Sequence, residues 1–140
     1  MVLIINRTPS TYERSLRLLS LLDTAGELDD DRWTYIDYIC IHGMIFHISK
    51  TNIQNMQRYN RAMFVNDISL NESAMKMLLL EGKIKLHGGL YTITKLGHLQ
   101  IKMMNDDYLN ELIENCKKFI MMYGNLDNEA IYAMITKSWE

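Results

Sequence analysis

Four histidines are the side chains best suited to metal binding in this chain, but their spacing does not fit a metal site. His42 and His47 are five residues apart across Gly43, and His87 and His98 flank a predicted hairpin. Metal sites usually draw ligands from close pairs such as Cys-x-x-Cys or His-x-x-x-His, and the sequence contains neither pattern. We therefore expect no metal site and no cofactor, and we expect half-buried histidines that each make one hydrogen bond.

Asp37, Tyr38 and His42 come closest to an acid–base set. They share one predicted helix, but Asp37 and His42 are five positions apart, so their side chains need not face each other. We expect Asp37 to be buried and hydrogen-bonded rather than a general base. Asp29–Asp31 precede that helix, where the helix dipole favours negative charge, so they are predicted to cap it. With no glycine-rich phosphate loop in the sequence either, we expect a protein that is not an enzyme.

The elements that must position these residues are mostly helices. The 140 residues include one proline, and 48% are hydrophobic, which excludes intrinsic disorder and suits one packed domain. The predicted fold class is mainly α with a small β-hairpin, as a single winged-helix-like domain over 1–140. Its parts are N-terminal helices (8–42), a linker (43–68), a helix–wing–helix unit (69–104) and C-terminal helices (105–140). Residues Val2–Ile5 are predicted to form a short strand or a segment that docks on a partner.

Local signals set the predicted boundaries. Ser10–Glu13 and Ser69–Glu72 both fit capping boxes, in which a serine and a glutamate satisfy each other's backbone donors. Gly82 is predicted to end the second of these helices in the left-handed region. Gly88–Gly89 separates two alternating segments, which is typical of a two-residue hairpin turn. These signals predict a helix followed by a wing.

A winged helix could bind DNA, so a small winged-helix DNA-binding transcriptional regulator is the alternative function. The helix before the wing would enter the major groove, and we expect it to present Asn71, Glu72 and Lys76 to solvent. The net charge is −2, whereas general nucleic-acid binders are usually basic. We therefore expect at most weak or indirect DNA contact. The candidate contacts are Lys76, Lys83, Lys85 and His87.

The eleven methionines are the better clue to function. Methionine is common on adaptable contact surfaces, and exposed apolar patches mark protein interfaces. The alternative is a methionine-rich core. The candidate partner-binding residues are Met75, Met77, Met103, Met104, Met121 and Met122.

The location of the protein follows from its cysteines and its apolar runs. Cys40 and Cys116 lie far apart within helical patterns, so we expect both to be reduced and buried, as in a cytoplasmic protein. The longest uninterrupted apolar runs are about five residues, too short to cross a membrane. The apolar start of the chain lacks the length and cleavage site of a signal peptide.

The first 42 residues carry a further set of patterns, which resembles the middle components of the bacterial ABC-three-component defence systems. The Lamassu small subunit belongs with these. In that family an Arg-Leu-Leu-x-Leu-Leu-Asp helix precedes an Asp-x-x-Arg helix with an Asp-Tyr pair and a His, and the wing ends in a Tyr…Thr…Gly pattern. The matching residues are Arg17, Asp23, Asp31, Arg32, Asp37, Tyr38 and His42, with Tyr91, Thr94 and Gly97 at the wing. The linker differs from the Gly/Pro-rich linker of that family, because 49–66 contains no proline.

The resemblance covers roughly residues 12 to 104 and implies a role and partners. It implies a non-catalytic accessory subunit of a bacterial antiphage or anti-plasmid complex. Such a subunit would link an SMC/Rad50-like coiled-coil ATPase to an effector such as a nuclease.

Overall fold

A computed structural model describes residues 10–50 and 60–140 of the chain. The elements, in chain order, are α1 (Thr11–Ala25), β1 (Glu27–Leu28), α2 (Asp30–Ile41), α3 (Arg61–Leu80), β2 (Ile84–His87), β3 (Leu90–Ile93), α4 (Lys95–Met103), α5 (Asp107–Tyr123) and α6 (Asn128–Lys137). The fold is mainly helical with a small antiparallel sheet, which confirms the predicted fold class.

Helix α1 lies at the centre of the fold. Every residue from Arg14 to Leu22 is buried, because α1 contacts α2, α3, α4, α5 and the sheet. A helix that is covered on all sides needs apolar residues all round, and α1 supplies them with Leu16, Leu18, Leu19, Leu21 and Leu22. The fold buries all five of these leucines.

Several local predictions are confirmed. The Ser10 hydroxyl accepts a hydrogen bond from the Glu13 amide at 3.1 Å, and the Glu13 carboxylate accepts one from the Ser10 amide at 3.1 Å. Gly82 has a φ of +71°, and Gly88 and Gly89 have φ of +59° and +79°. Two consecutive left-handed residues are what a two-residue hairpin turn of type I′ requires.

The sheet has three strands in the order β1-β3-β2. In the hairpin, Ile84 pairs with Ile93 and Leu86 with Tyr91. The third strand, β1, places Leu28 beside Tyr91 and was not predicted, because two residues carry no alternation that marks a strand. This strand joins the hairpin to the α1–α2 pair.

The predicted end of the linker and the second capping box are wrong. Helix α3 begins at Arg61 with Asn60 as its N-cap, whose side chain accepts a hydrogen bond from the Met63 amide at 2.9 Å. Ser69 therefore lies within a helix of 20 residues, and 61–68 is helical as well. The predictions for Val2–Ile5 and for the middle of the linker lie on residues outside those that the structure describes.

Candidate functional site

Asp37, one of the three residues that come closest to an acid–base set, forms a buried ion pair with Arg17. The Arg17 guanidinium holds the Asp37 carboxylate through Nε at 2.6 Å and through Nη2 at 2.9 Å. Both side chains are 1% exposed. Burial alone lowers the pKa of Arg17, but the Asp37 carboxylate and the hydroxyl of Tyr108 outweigh that effect and raise it. The prediction that Asp37 is buried and hydrogen-bonded is confirmed.

Three further polar side chains extend this ion pair into a network. The Asn71 amide donates to Asp37 Oδ2 at 3.0 Å, and its own oxygen accepts from Arg14 Nη1 at 3.0 Å. Arg14 also pairs with Asp67 at 2.9 Å. We call Arg14, Arg17, Asp37, Asp67 and Asn71 the polar network. It joins α1, α2 and α3 and meets the need of buried charges for partners.

Sequence reasoning missed Arg14, Asp67 and Asn71. Asn71 was expected to face solvent but is buried, because it lies three, four and seven residues before Ala74, Met75 and Leu78 and so shares the inner face of α3 with them. The sequence does contain a signal for buried arginines. Arg14 and Arg17 are three residues apart in a leucine-rich helix, so their side chains share one face of it.

His42 and Tyr38 lie beside the polar network. Burial, assisted by Arg17 and opposed by Asp37, lowers the pKa of His42 to about 4, so its imidazole is neutral at neutral pH. The Tyr38 ring meets the His42 ring edge-on at 4.6 Å, and its hydroxyl accepts from the Trp139 indole at 3.0 Å. The prediction of half-buried histidines is wrong, because His42 is buried while His47, His87 and His98 are exposed.

The remaining motif residues connect other elements of the fold. Asp23 pairs with His98 at 2.9 Å, which joins α1 to α4. Arg32 donates to the carbonyl oxygens of Gly124 at 3.1 Å and Leu126 at 2.8 Å and so holds the turn between α5 and α6. Asp31 is exposed in the first turn of α2. Asp29, just before it, caps α2 as predicted, because its carboxylate accepts from the Arg32 amide at 2.8 Å.

The predicted partner-binding methionines fall into three groups. Met75 is buried in the core, so its prediction as a surface residue is wrong: it lies on the inner side of α3 with Ala74 and Leu78. Met77 and Met104 are half-buried. Met103, Met121 and Met122 are exposed, by 85%, 79% and 46%.

The predicted nucleic-acid contacts lie on α3 and the hairpin. Lys76, Lys85 and His87 are exposed. Lys83 is half-buried and pairs with Glu81 at 3.3 Å, so it is partly neutralised. The fold brings Lys85 and His87 together on one face of β2.

Among residues 10–50 and 60–140, no group of three His, Cys, Asp or Glu side chains could hold a metal ion. Cys40 and Cys116 are free thiols and both are buried, as predicted. Burial raises the pKa of Cys40, with Cys116 and Asp37 adding to the effect. In the same part of the chain, none of the helices is both long and apolar enough to cross a membrane.

A mainly helical domain with a buried polar network and exposed methionines is therefore the class of protein that the fold and the site define. Residues 8–140 match the family model described as MC2, ABC-three component (ABC-3C) system Middle Component 2. The chain belongs to that family and is thus a component of a multi-subunit defence system. The resemblance found in the sequence is confirmed at this level. No curated protein and no solved structure gives a significant match.

Proposed function

We propose that this chain is a non-catalytic accessory subunit that bridges an SMC/Rad50-like coiled-coil ATPase and an effector such as a nuclease. The observation that carries the proposal is a pair of exposed apolar surfaces at different places on a domain whose core is already filled. A bridging subunit needs two contact surfaces, and it needs no reaction centre of its own. We place its action in the cytoplasm.

The first surface lies on α4. Leu96, Leu99 and Met103 are spaced three and four residues apart, so they share one face of the helix. All three are exposed. We call these three residues the α4 stripe. A continuous apolar stripe on a surface helix normally faces a partner or a core, and α4 already uses Gly97 and Ile101 to meet the rest of the domain.

The second surface lies at the end of α5. Ile120, Met121 and Met122 are consecutive and exposed there, and we call them the α5 end. At about 1.5 Å per residue, the 17 residues of α5 separate its two ends by about 25 Å. Met103 is the last residue of α4, four residues before α5 begins, and Met121 lies near the end of α5. The two surfaces are therefore far enough apart to serve two partners.

The order of the elements also supports a winged-helix unit within residues 11–93. A helix, a short strand, two helices and a hairpin follow one another, and β1 pairs with the hairpin. The departure is the long connection between α2 and α3, where a tight turn is expected. We propose that this unit serves protein recognition.

The alternative, a DNA-binding regulator, has weaker support in the charges. Glu72 lies one helical turn from Lys76 on the exposed face of α3, and Lys83 is paired. That leaves Lys85, with His87 beside it, as the unpaired cation among the candidate contacts on the hairpin. Affinity for DNA depends on the number of phosphates neutralised, so we expect at most weak backbone contact.

Co-purification with the products of the neighbouring genes tests the bridge. The full chain carries the tag, and the variants are L99E/M103E on the α4 stripe and M121E/M122E on the α5 end. The matched control is Y12E/L80E, which changes two other exposed apolar residues and adds the same charge. We expect each surface variant to lose a different partner while the control keeps both. The proposal is contradicted if the chain elutes alone, or if both surface variants keep every partner.

A further inference from the structure

A groove between α2, α3 and α6 combines aromatic side chains with acidic side chains. Neither the α4 stripe nor the α5 end has this combination. Its volume is about 300 Å³. An aromatic and apolar floor lies beneath a rim of charged side chains. The lining residues are Asp30, Asp31, Thr34, Tyr35, Arg61, Phe64, Val65, Ile68, Glu72, Met75 and Tyr132.

The floor of the groove is a cluster of three aromatic rings. The rings of Tyr35 and Phe64 are stacked with centroids 6.0 Å apart, and Tyr132 lies 5.6 Å from Tyr35. Trp139 supports Phe64 from another side at 5.6 Å. The cluster is held from three helices and the C-terminal turn, so the ring faces are fixed before any ligand arrives.

The rim of the groove is acidic. Asp30 and Asp31 stand in the first turn of α2, and Glu72 lies across from them on α3. Arg61 is the one cation among the lining residues. Burial, and then the carboxylate of Asp31, raise the pKa of Tyr35. The negative charge of the rim therefore acts on the aromatic floor.

We propose that this groove binds a basic segment of another protein of the same system, with an Arg or Lys side chain laid over the aromatic floor. Aromatic faces attract cations within about 6 Å of the ring centroid, and the three carboxylates add charge complementarity. Val65 and Ile68 accept the apolar stem or a neighbouring apolar side chain of the same segment. The inference rests on the proposed role in a complex and adds a third contact, with a named chemistry.

The same charges argue against nucleic acid in the groove. A phosphate backbone would meet three carboxylates for each guanidinium among the lining residues. Like charges at close range oppose association. A second copy of the chain is also disfavoured, because an acidic rim facing its own copy would repel it.

Binding of a labelled peptide by the purified full chain tests the inference. The probe is a short fluorescein-labelled peptide with Arg, Lys and Leu at helical spacing, and its control has Gln in place of each Arg and Lys. Fluorescence anisotropy also measures a DNA duplex of similar length. We expect the cationic peptide to bind at least about tenfold more tightly than the neutral peptide, with an affinity that falls as salt is added.

Two variants locate the binding. D31N/E72Q neutralises two rim residues and should weaken peptide binding about tenfold. E111Q/E129Q is its matched control, since it removes the same charge from one helix interior and one helix first turn elsewhere. V65K places a cation in the groove from an exposed position and should abolish binding. Circular dichroism verifies that each variant is folded.

Three results would overturn the inference: equal binding of the neutral peptide, equal effects of D31N/E72Q and E111Q/E129Q, or preference for the DNA duplex. Failure of the bridge is a separate result. If the complex assembles equally well with D31N/E72Q and the peptide does not bind, the groove inference is wrong and the bridge stands. If the peptide binds at the groove but no complex forms, the bridge is wrong and the groove stands.

Discussion

The centre of this molecule buries charged and polar side chains, whereas its outer helices expose apolar ones. Where α1, α2 and α3 meet, the buried positions include Arg17, Asp37 and Asn71. On α4 and at the end of α5, the exposed positions include Met103 and Met121. Charge inside is tolerated because every charge has a close partner. Exposed apolar side chains contribute little to the stability of the isolated domain and are therefore available to partners. Under the proposed function, stability and recognition would therefore rest on different residues.

Removal of one member of the central ion pair should have the largest effect. R17M leaves the Asp37 carboxylate buried without its cation, so we expect a loss of about 3–5 kcal/mol in the free energy of unfolding. Urea denaturation followed by circular dichroism measures it. K117M is the control, because Lys117 forms an exposed pair with Glu114 at 3.5 Å.

The double variant R17M/D37L sharpens the same comparison. Replacing both charges with apolar groups of similar size should recover most of the lost stability. If R17M alone were as stable as the native chain, the polar network would not hold the three helices together.

Introduction of a methyl group at Gly97 should have the next largest effect. A Cβ there would overlap the carbonyl oxygen of Lys83 and lie 2.8 Å from Ile93 Cγ1, so α4 could not keep its close contact with the hairpin. We expect G97A to cost about 1–3 kcal/mol by overpacking. Thermal melting measures the loss, with S73A on the exposed face of α3 as the control. An unchanged melting temperature would mean that α4 is loosely attached.

Acid should destabilise the centre through His42. The pKa of its imidazole in the folded chain is about 4, below its ordinary value of 6.5. The unfolded state therefore binds the proton first as pH falls. Stability from the neutral ring is present above pH 6.5 and is lost between there and about pH 4, by about 1.4 kcal/mol per pH unit. Urea titrations at several pH values give the free energy of unfolding as a function of pH. We expect this free energy to change less steeply with pH in H42Q than in the native chain, with H87Q as the matched control. Equal slopes for H42Q and the native chain would contradict this assignment.

Changes at the apolar surfaces should have the smallest effect on stability. M121E/M122E alters two exposed side chains, so we expect the free energy of unfolding to change by less than about 0.5 kcal/mol. Urea denaturation under the conditions used for R17M gives a direct comparison. A loss comparable to that of R17M would show that the α5 end belongs to the core.

Sequence patterns predicted the local features well because neighbours in the chain decide them. The Ser10 capping box, the Gly88–Gly89 turn and the Asp29 cap need only adjacent residues, and all three are confirmed. The start of α3 was missed because Ser69–Glu72 satisfies the capping pattern inside a longer helix. The spacing of Phe64, Asn71, Ala74 and Leu78 was the signal that could have extended it.

The candidate site was less predictable because burial depends on contacts between distant elements. Methionine count alone cannot tell Met75, which packs inside, from Met103, which faces solvent. The pairing of Arg17 with Asp37 crosses 20 positions in the chain. The aromatic groove needs α2, α3 and α6 together. The family motif identified important residues but did not indicate that most of them hold the fold together.

Hydrogen exchange of the subunit, alone and within its purified complex, tests most directly whether the exposed apolar surfaces are the binding surfaces. We predict that peptides covering 95–103 and 118–126 become protected in the complex, while the peptides of α1, which is already buried, change little. Protection elsewhere, with the α4 stripe and the α5 end exchanging as fast as in the free chain, would contradict the account.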